Sequence, residues 1–173
     1  MKKNFTLAAM LFLCIIAVSA SAQEKSANKF RIGLGAEGAL PVNNNGYNVG
    51  AGATFRVGIP ISESGSVTGT TGVMAFIPKS ISGVNTKAQL NIPIKAGYQH
   101  MLSSTIYGLG EAGFTIAKVY YPSTSSGSLA SVSNTSFTYS FGVGAHLGAF
   151  DPSIRYEGYT GSGFIGLRLG FNF

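Results

Sequence analysis

Eight ionisable side chains, Arg31, Glu37, Arg56, Lys95, Glu111, Arg155, Glu157 and Arg168, recur inside stretches that alternate apolar and polar residues. Arg155 and Glu157 stand two residues apart, so an extended chain projects both to one side, and Arg168 lies on the stretch that follows. Confined in an interior, such groups must pair, because an unpaired buried charge is costly. The spacing therefore predicts an ion-pair network. A gated ion or proton path and a catalytic cluster are the other chemistries such groups support. Nucleophilic catalysis would need a histidine beside Ser or Asp, and only His100 and His146 are present, with Asp151 near the second. Both read as hydrogen-bonding histidines close to turns. Two stretches match the dinucleotide fingerprint literally, Gly33, Gly35 and Gly38, and Gly108, Gly110 and Gly113. That fingerprint needs a strand-to-helix turn that presents a helix N-terminus to phosphate. These glycines instead alternate with Leu34 and Leu109, which reads as strands that must bend. No Cys, His or carboxylate spacing suits a metal, and no cofactor is expected.

The elements that must carry these charges are strands. Ile165, Leu167, Leu169, Phe171 and Phe173 alternate with Gly166, Arg168, Gly170 and Asn172 in strict period two, which makes one face apolar and the other polar. Phe30, Ile32, Leu34, Ala36 and Leu40 repeat the pattern against Arg31, Gly33, Gly35 and Glu37. So do Tyr47, Val49, Ala51, Ala53, Phe55 and Val57 against Asn48, Thr54 and Arg56. Further segments fall at 66–77, 87–98, 105–119, 136–147 and 153–160, making eight. Most exceed the five or six residues usual in soluble sheets and approach the roughly 9–11 that a tilted strand needs to cross a bilayer. A sheet edge cannot persist in hydrocarbon, so the strands must close. The fold expected is all-β, a closed antiparallel eight-stranded up-and-down transmembrane β-barrel. All eight charges then point into its lumen, which eight strands leave just wide enough for side chains to fill.

Residues 1–22 combine Lys2 and Lys3, an apolar run from Leu7 to Val18, and Ser19, Ala20, Ser21 and Ala22 before Gln23. That is the layout of a secretory signal peptide. The run of 12 residues falls short of the roughly 20 needed for a spanning helix. Cys14, the only cysteine, lies within it, and Leu13 before it argues against a lipoprotein cleavage site. The exported chain then has a short periplasmic segment, 23–29, and a barrel domain over 30–173. The whole chain is 45% apolar and 10% charged, against a usual charged share of about 25%. A formal charge of +6, scattered without a run of Lys or Arg, does not suit nucleic acid.

Connections at 62–65, 100–104 and 148–152 read as tight periplasmic turns. The segments 77–86 and the Ser-rich 121–135 read as longer extracellular loops, and 41–46 and 161–163 as short ones. Loop 121–135 is a candidate surface for an extracellular partner. Tyr120, Tyr121, Tyr139, Tyr47 and Phe164 are expected at the outer rim, and Phe30, Tyr98, Phe171 and Phe173 at the inner one, as the two aromatic girdles of a membrane barrel.

Leu90-Asn91-Ile92-Pro93-Ile94, Ser153-Ile154-Arg155-Tyr156-Glu157-Gly158, Phe164-Ile165-Gly166-Leu167-Arg168-Leu169 and the terminal Phe173 resemble the PorT-like outer-membrane β-barrel domains. The resemblance implies an integral place in the outer membrane of a Gram-negative cell envelope. It also implies that Phe173, with Phe171, resembles the signal read by the barrel-assembly machinery. It implies location and fold more than activity. The expected role is a non-enzymatic barrel with a packed polar lumen, in contact with outer-membrane lipid, for envelope structure or surface interaction. A narrow porin-like channel is one alternative. A soluble periplasmic barrel resembling a lipocalin is another, and the outward apolar row of the last strand argues against it.

Overall fold

The computed structural model describes residues 30–42, 46–79, 88–122 and 129–173; the signal peptide read over 1–22 and the segment 23–29 lie outside them. The regular elements are strands: β1 (Arg31–Val42), β2 (Tyr47–Pro60), β3 (Gly65–Pro78), β4 (Gln89–Met101), β5 (Ile106–Pro122), β6 (Leu129–Ala145), β7 (Phe150–Tyr159) and β8 (Ser162–Asn172). Each pairs antiparallel with the next and β8 returns to β1, so the sheet closes as an eight-stranded barrel. At the seam Glu37 faces Arg168 and Leu34 faces Phe171, and the Phe173 N–H donates to the Ile32 carbonyl at 2.8 Å.

Period-two alternation sorts side chains between two environments that are inverted relative to a water-soluble protein. Phe141 is 60% and Ile94 57% exposed on the outside, whereas Arg168 is fully buried within. A soluble barrel would turn Leu167, Leu169 and Phe171 inward; here all three face out. Both described termini lie at one end, here the termini end, with the turns 61–64, 102–105 and 146–149. The opposite loop end includes the two-residue turn 160–161, where Gly161 takes φ of +78°, a left-handed conformation that suits a hairpin and costs glycine nothing. Pro93 sits mid-strand in β4. It has no N–H to donate, and the β3–β4 pairing lapses between Thr71↔Ile94 and Met74↔Asn91.

Several boundaries differ from the sequence reading. The segment 121–135, read as a loop, is largely strand: β6 starts at Leu129 and pairs with β5 as far as Pro122. The Ser-rich stretch, with Pro122, Gly127 and Asn134, has little strand preference of its own, and cross-strand pairing overrides that. His100 belongs to β4, and Asp151 and Pro152 belong to β7 and not to a turn. Pro41 ends up inside β1 and Gly163 inside β8.

The outer aromatic girdle also needs correction. Phe164 falls on the same row as Gly166 and Arg168 and is buried against Phe76, Ala39 and Met74 inside the barrel. Tyr47 turns inward as well, because the β2–β3 register shifts between Tyr47 and Val49 and so flips the parity of the strand's first residues. Tyr139, Phe30, Tyr98 and Phe171 face outward. The side chains of Tyr120 and Tyr121 lie outside the described residues.

The apolar outer row carries a testable cost. Leu167→Arg is expected to destabilise the barrel by about 2–4 kcal/mol in phospholipid, read as the urea midpoint of far-ultraviolet circular dichroism, the chain having no Trp. The control Ser104→Arg, in an exposed turn, should stay within about 0.5 kcal/mol. Equal effects of the two would contradict a lipid-facing row.

Candidate functional site

The lumen holds four cations, Arg56, Lys95, Arg155 and Arg168, and four anions, Glu37, Glu111, Asp151 and Glu157, none more than 5% exposed. Each comes from the inward row of its strand, and closure of the barrel brings together partners that are mostly distant in sequence. Arg155 on β7 reaches past β8 to Glu37 on β1 through two parallel N–H···O bonds, one of them Nη2 to Oε2 at 2.9 Å. Its Nε donates to Glu157 Oε2 at 3.0 Å. The same oxygen accepts from Lys95 Nζ at 2.6 Å, and Lys95 lies 3.2 Å from Glu111 Oε2. The chain Glu37–Arg155–Glu157–Lys95–Glu111 thus spans the lumen as alternating charge. Such bonds are short and strong because both partners are ionised and water is excluded.

A second cluster lies toward the termini end. Asp151 accepts from Arg168 Nη1 at 2.8 Å and from the Tyr107 hydroxyl at 2.6 Å, with Arg56 Nη1 3.9 Å away. Arg56 bridges the clusters: its Nε lies 3.8 Å from Glu111 Oε1 and donates to Thr70, whose hydroxyl donates to Glu111 at 2.5 Å. Thr54 accepts from Arg168 Nε at 3.1 Å. His146, one residue beyond β6, closes this end with its ring stacked on Tyr107, centroids 4.7 Å apart. Arg31 and Gln99 both donate to its Nε2, at 2.9 and 2.8 Å, so this nitrogen is the acceptor, while Nδ1 lies 3.5 Å from Asn172 Nδ2 and 3.7 Å from Asp151 Oδ1. Burial, reinforced by the nearby Arg31, Arg56 and Arg168 and opposed by Asp151, pushes the imidazole down to about 4, which agrees with a neutral ring.

Arg31 is thus at the mouth on His146, outside the ion pairs, while Glu37, Arg56, Lys95, Glu111, Arg155, Glu157 and Arg168 belong to the two linked clusters. Asp151 is the member the sequence hid, because Gly148 and Pro152 around it read as a turn. Tyr107 was hidden as well: it looks like one more apolar strand residue, yet it is fully buried with its hydroxyl on Asp151. His100 is exposed near the end of β4, where its ring stacks on Tyr98. Among the described residues no three of His, Cys, Asp or Glu converge as metal ligands.

The glycines of the false fingerprints have a packing role at the inward positions. Arg168 lies across Gly33, Gly35 and Gly170: a Cβ on Gly35 would stand 2.6 Å from Arg168 Nε, and one on Gly170 would collide with its Nη1. Gly38, on the outward row, has nothing within 4 Å of such a Cβ. Above the charged layer, Ala39, Met74, Phe76 and Phe164 form an apolar cluster. A cavity of about 470 Å³ at the loop end is lined by Tyr47, Gln89, Asn91, Asn134 and Tyr159 among others. At the termini end the space bounded by Arg31, Arg56, Thr68, Gln99, His146 and Asp151 is only about 20 Å³.

Gly35→Val is expected to displace the Arg168 guanidinium and leave Asp151 poorly matched, at a cost of about 3–5 kcal/mol in urea unfolding. Gly38→Val, three residues along the same strand, should cost less than about 1 kcal/mol. Equal losses would show that strand bending, and not room for Arg168, is what Gly35 provides.

Comparison with known proteins agrees with this geometry. The family described as outer membrane protein beta-barrel domain matches residues 10–170. No curated protein sequence matches. Among solved structures, the chain is similar to Ail, the attachment invasion locus protein of Yersinia pestis, with a TM-score of 0.62 at 17% identity, over 83% of this chain and 97% of that one. It is also similar to the N-terminal β-barrel domain of Pseudomonas aeruginosa OprF, with a TM-score of 0.60 at 15% identity, over 83% and 97%. Neisserial surface protein A follows with a TM-score of 0.53 at 15% identity, over 85% and 95%. At such identities the likeness is one of fold. The family match covers most of the chain, and the chain belongs to the outer membrane protein beta-barrel domain family and, with it, to the outer membrane.

Proposed function

We propose that this protein is a non-conducting, non-enzymatic barrel of the outer membrane that serves the envelope and presents its loop end for surface interaction. The observation that carries the reading is the charged layer. Eight buried ionised groups cross the lumen between a cavity of about 470 Å³ at one end and a space of about 20 Å³ at the other. An ion would have to part these pairs to pass, and a buried charge stripped of its partner costs about 3–5 kcal/mol.

Absence of catalysis is supported by the histidines. Nε2 of His146 is occupied by two donors, and no serine or threonine hydroxyl bonds to it among the described residues. A surface role is in keeping with the names of two relatives in fold, an attachment invasion locus protein and a surface protein. The loop end is read as extracellular, since an even number of strands leaves both chain termini on one side, and export directed by residues 1–22 makes that side the periplasmic one. Within the family the segments around Pro93, Arg155 and Arg168 favour the PorT-like group. Phe171 and Phe173, at the periplasmic end of β8, are proposed as the signal for the barrel-assembly machinery.

Planar-bilayer recording of the purified protein tests the closed lumen. The expected trace has no stable single-channel openings. Openings whose conductance shifts in Arg155→Ala or Arg168→Ala would establish a pore and contradict the reading.

A further inference from the structure

The barrel rim is uneven. β5 and β6 pair without interruption from Ile106↔Ala145 to Pro122↔Leu129. On its other side β6 pairs with β7 only over Thr138–Gly144, because β7 ends at Tyr159 and turns back into β8. Residues 129–137 of β6 therefore have one edge paired to β5 and, among the described residues, no strand on the other. At about 3.4 Å per residue this free edge is roughly 30 Å long.

Sheet edges in water are normally blunted by charge, proline, a bulge or a covering segment, since unpaired N–H and C=O groups template further pairing. The sequence from Leu129 to Phe137 contains no charged residue and no proline, and its register with β5 has no bulge. Ser131, Val132, Ser133, Asn134 and Thr135 are all exposed. Their side chains are short, so a second backbone can approach closely. The exposed feature is the backbone itself, a row of donors and acceptors at the strand repeat. Sugars, lipids and nucleic acids lack that repeat, and the absence of ionisable groups removes any attraction for a charged partner. An extended polypeptide has the matching spacing, and strand addition is a general mode of peptide capture.

We propose that the free edge of β6 over residues 129–137 captures an extended segment of another polypeptide by antiparallel strand addition, in the place that β7 vacates above Tyr159. The proposal rests on the loop end being the interaction surface and supplies its mechanism. Affinity then comes from main-chain hydrogen bonds, so the edge tolerates varied sequences, with small or β-branched residues favoured beside the hydroxyl row of Ser131, Ser133 and Thr135.

The test is amide hydrogen exchange, read residue by residue by nuclear magnetic resonance on the full chain in lipid nanodiscs. The probe is a short capped peptide of alternating Thr and Val, and its control is the same peptide N-methylated at every second residue. The expected result is that alternate amides within 130–136 exchange roughly tenfold more slowly with the unmethylated peptide, and unchanged with the methylated one. Ser131→Lys together with Ser133→Lys, which charges the edge without altering the paired side, should weaken that protection while the amides of 138–144 stay protected. No peptide-dependent slowing would overturn the proposal. So would protection of these amides before peptide is added, which would assign the edge to the chain itself, or protection that grows with protein concentration alone, which would assign it to a second copy. The outcome is independent of conductance: a conducting barrel that still captures the peptide would overturn the closed lumen and leave the edge proposal standing.

Discussion

Glu157 accepts from Lys95 and Arg155 together, and the lumen is organised by the need to keep such charges matched where water is excluded. Four cations face four anions at no more than 5% exposure. Removing any one leaves a buried charge without its counterpart, which is the expensive state, whereas the matched set roughly balances its own desolvation. The network is therefore better understood as a constraint on the barrel than as a source of net stability. It ties the two sides of the lumen together, since Lys95 on β4 meets Glu157 on β7, while Glu37 on β1 and Glu111 on β5 extend the chain to strands near each of them.

The rest of the interior follows from that constraint. Long charged side chains need room, and glycines on neighbouring strands provide it: Gly35 and Gly170 lie under Arg168, and Gly142 lies against Arg155. The apolar cluster of Met74, Phe76 and Phe164 caps the charged layer toward the loop end, and Phe164 also places its ring 5.8 Å from the Arg155 guanidinium carbon. Outside, the same alternation delivers Leu167, Ile94 and Phe141 to lipid. One period-two pattern thus satisfies two opposite solvents.

Much of this was legible in sequence because side-chain parity in a strand depends on nothing but position. Leu167, Leu169 and Phe171 announce the lipid side, and the charges between apolar rows announce the lumen. Partners were not legible, since the contact of Arg155 with Glu37 depends on how the barrel closes over 118 residues. Asp151 was concealed by neighbouring Gly148 and Pro152, which signal a turn even though β7 has already begun at Phe150. Tyr47 was misplaced because a register shift reverses parity without any sequence signal. The upper half of β6 was misread because a Ser-rich stretch forms strand only through its pairing with β5.

The measurement that bears most directly on the charged layer is a double-mutant cycle on Lys95 and Glu157, using Lys95→Met, Glu157→Leu and both together, with stability from urea unfolding in phospholipid. Matched burial predicts that each single variant loses about 3–5 kcal/mol and that the double variant recovers most of the loss. Additive losses, with no recovery in the double variant, would show that the two charges do not compensate one another and would contradict this account of the lumen.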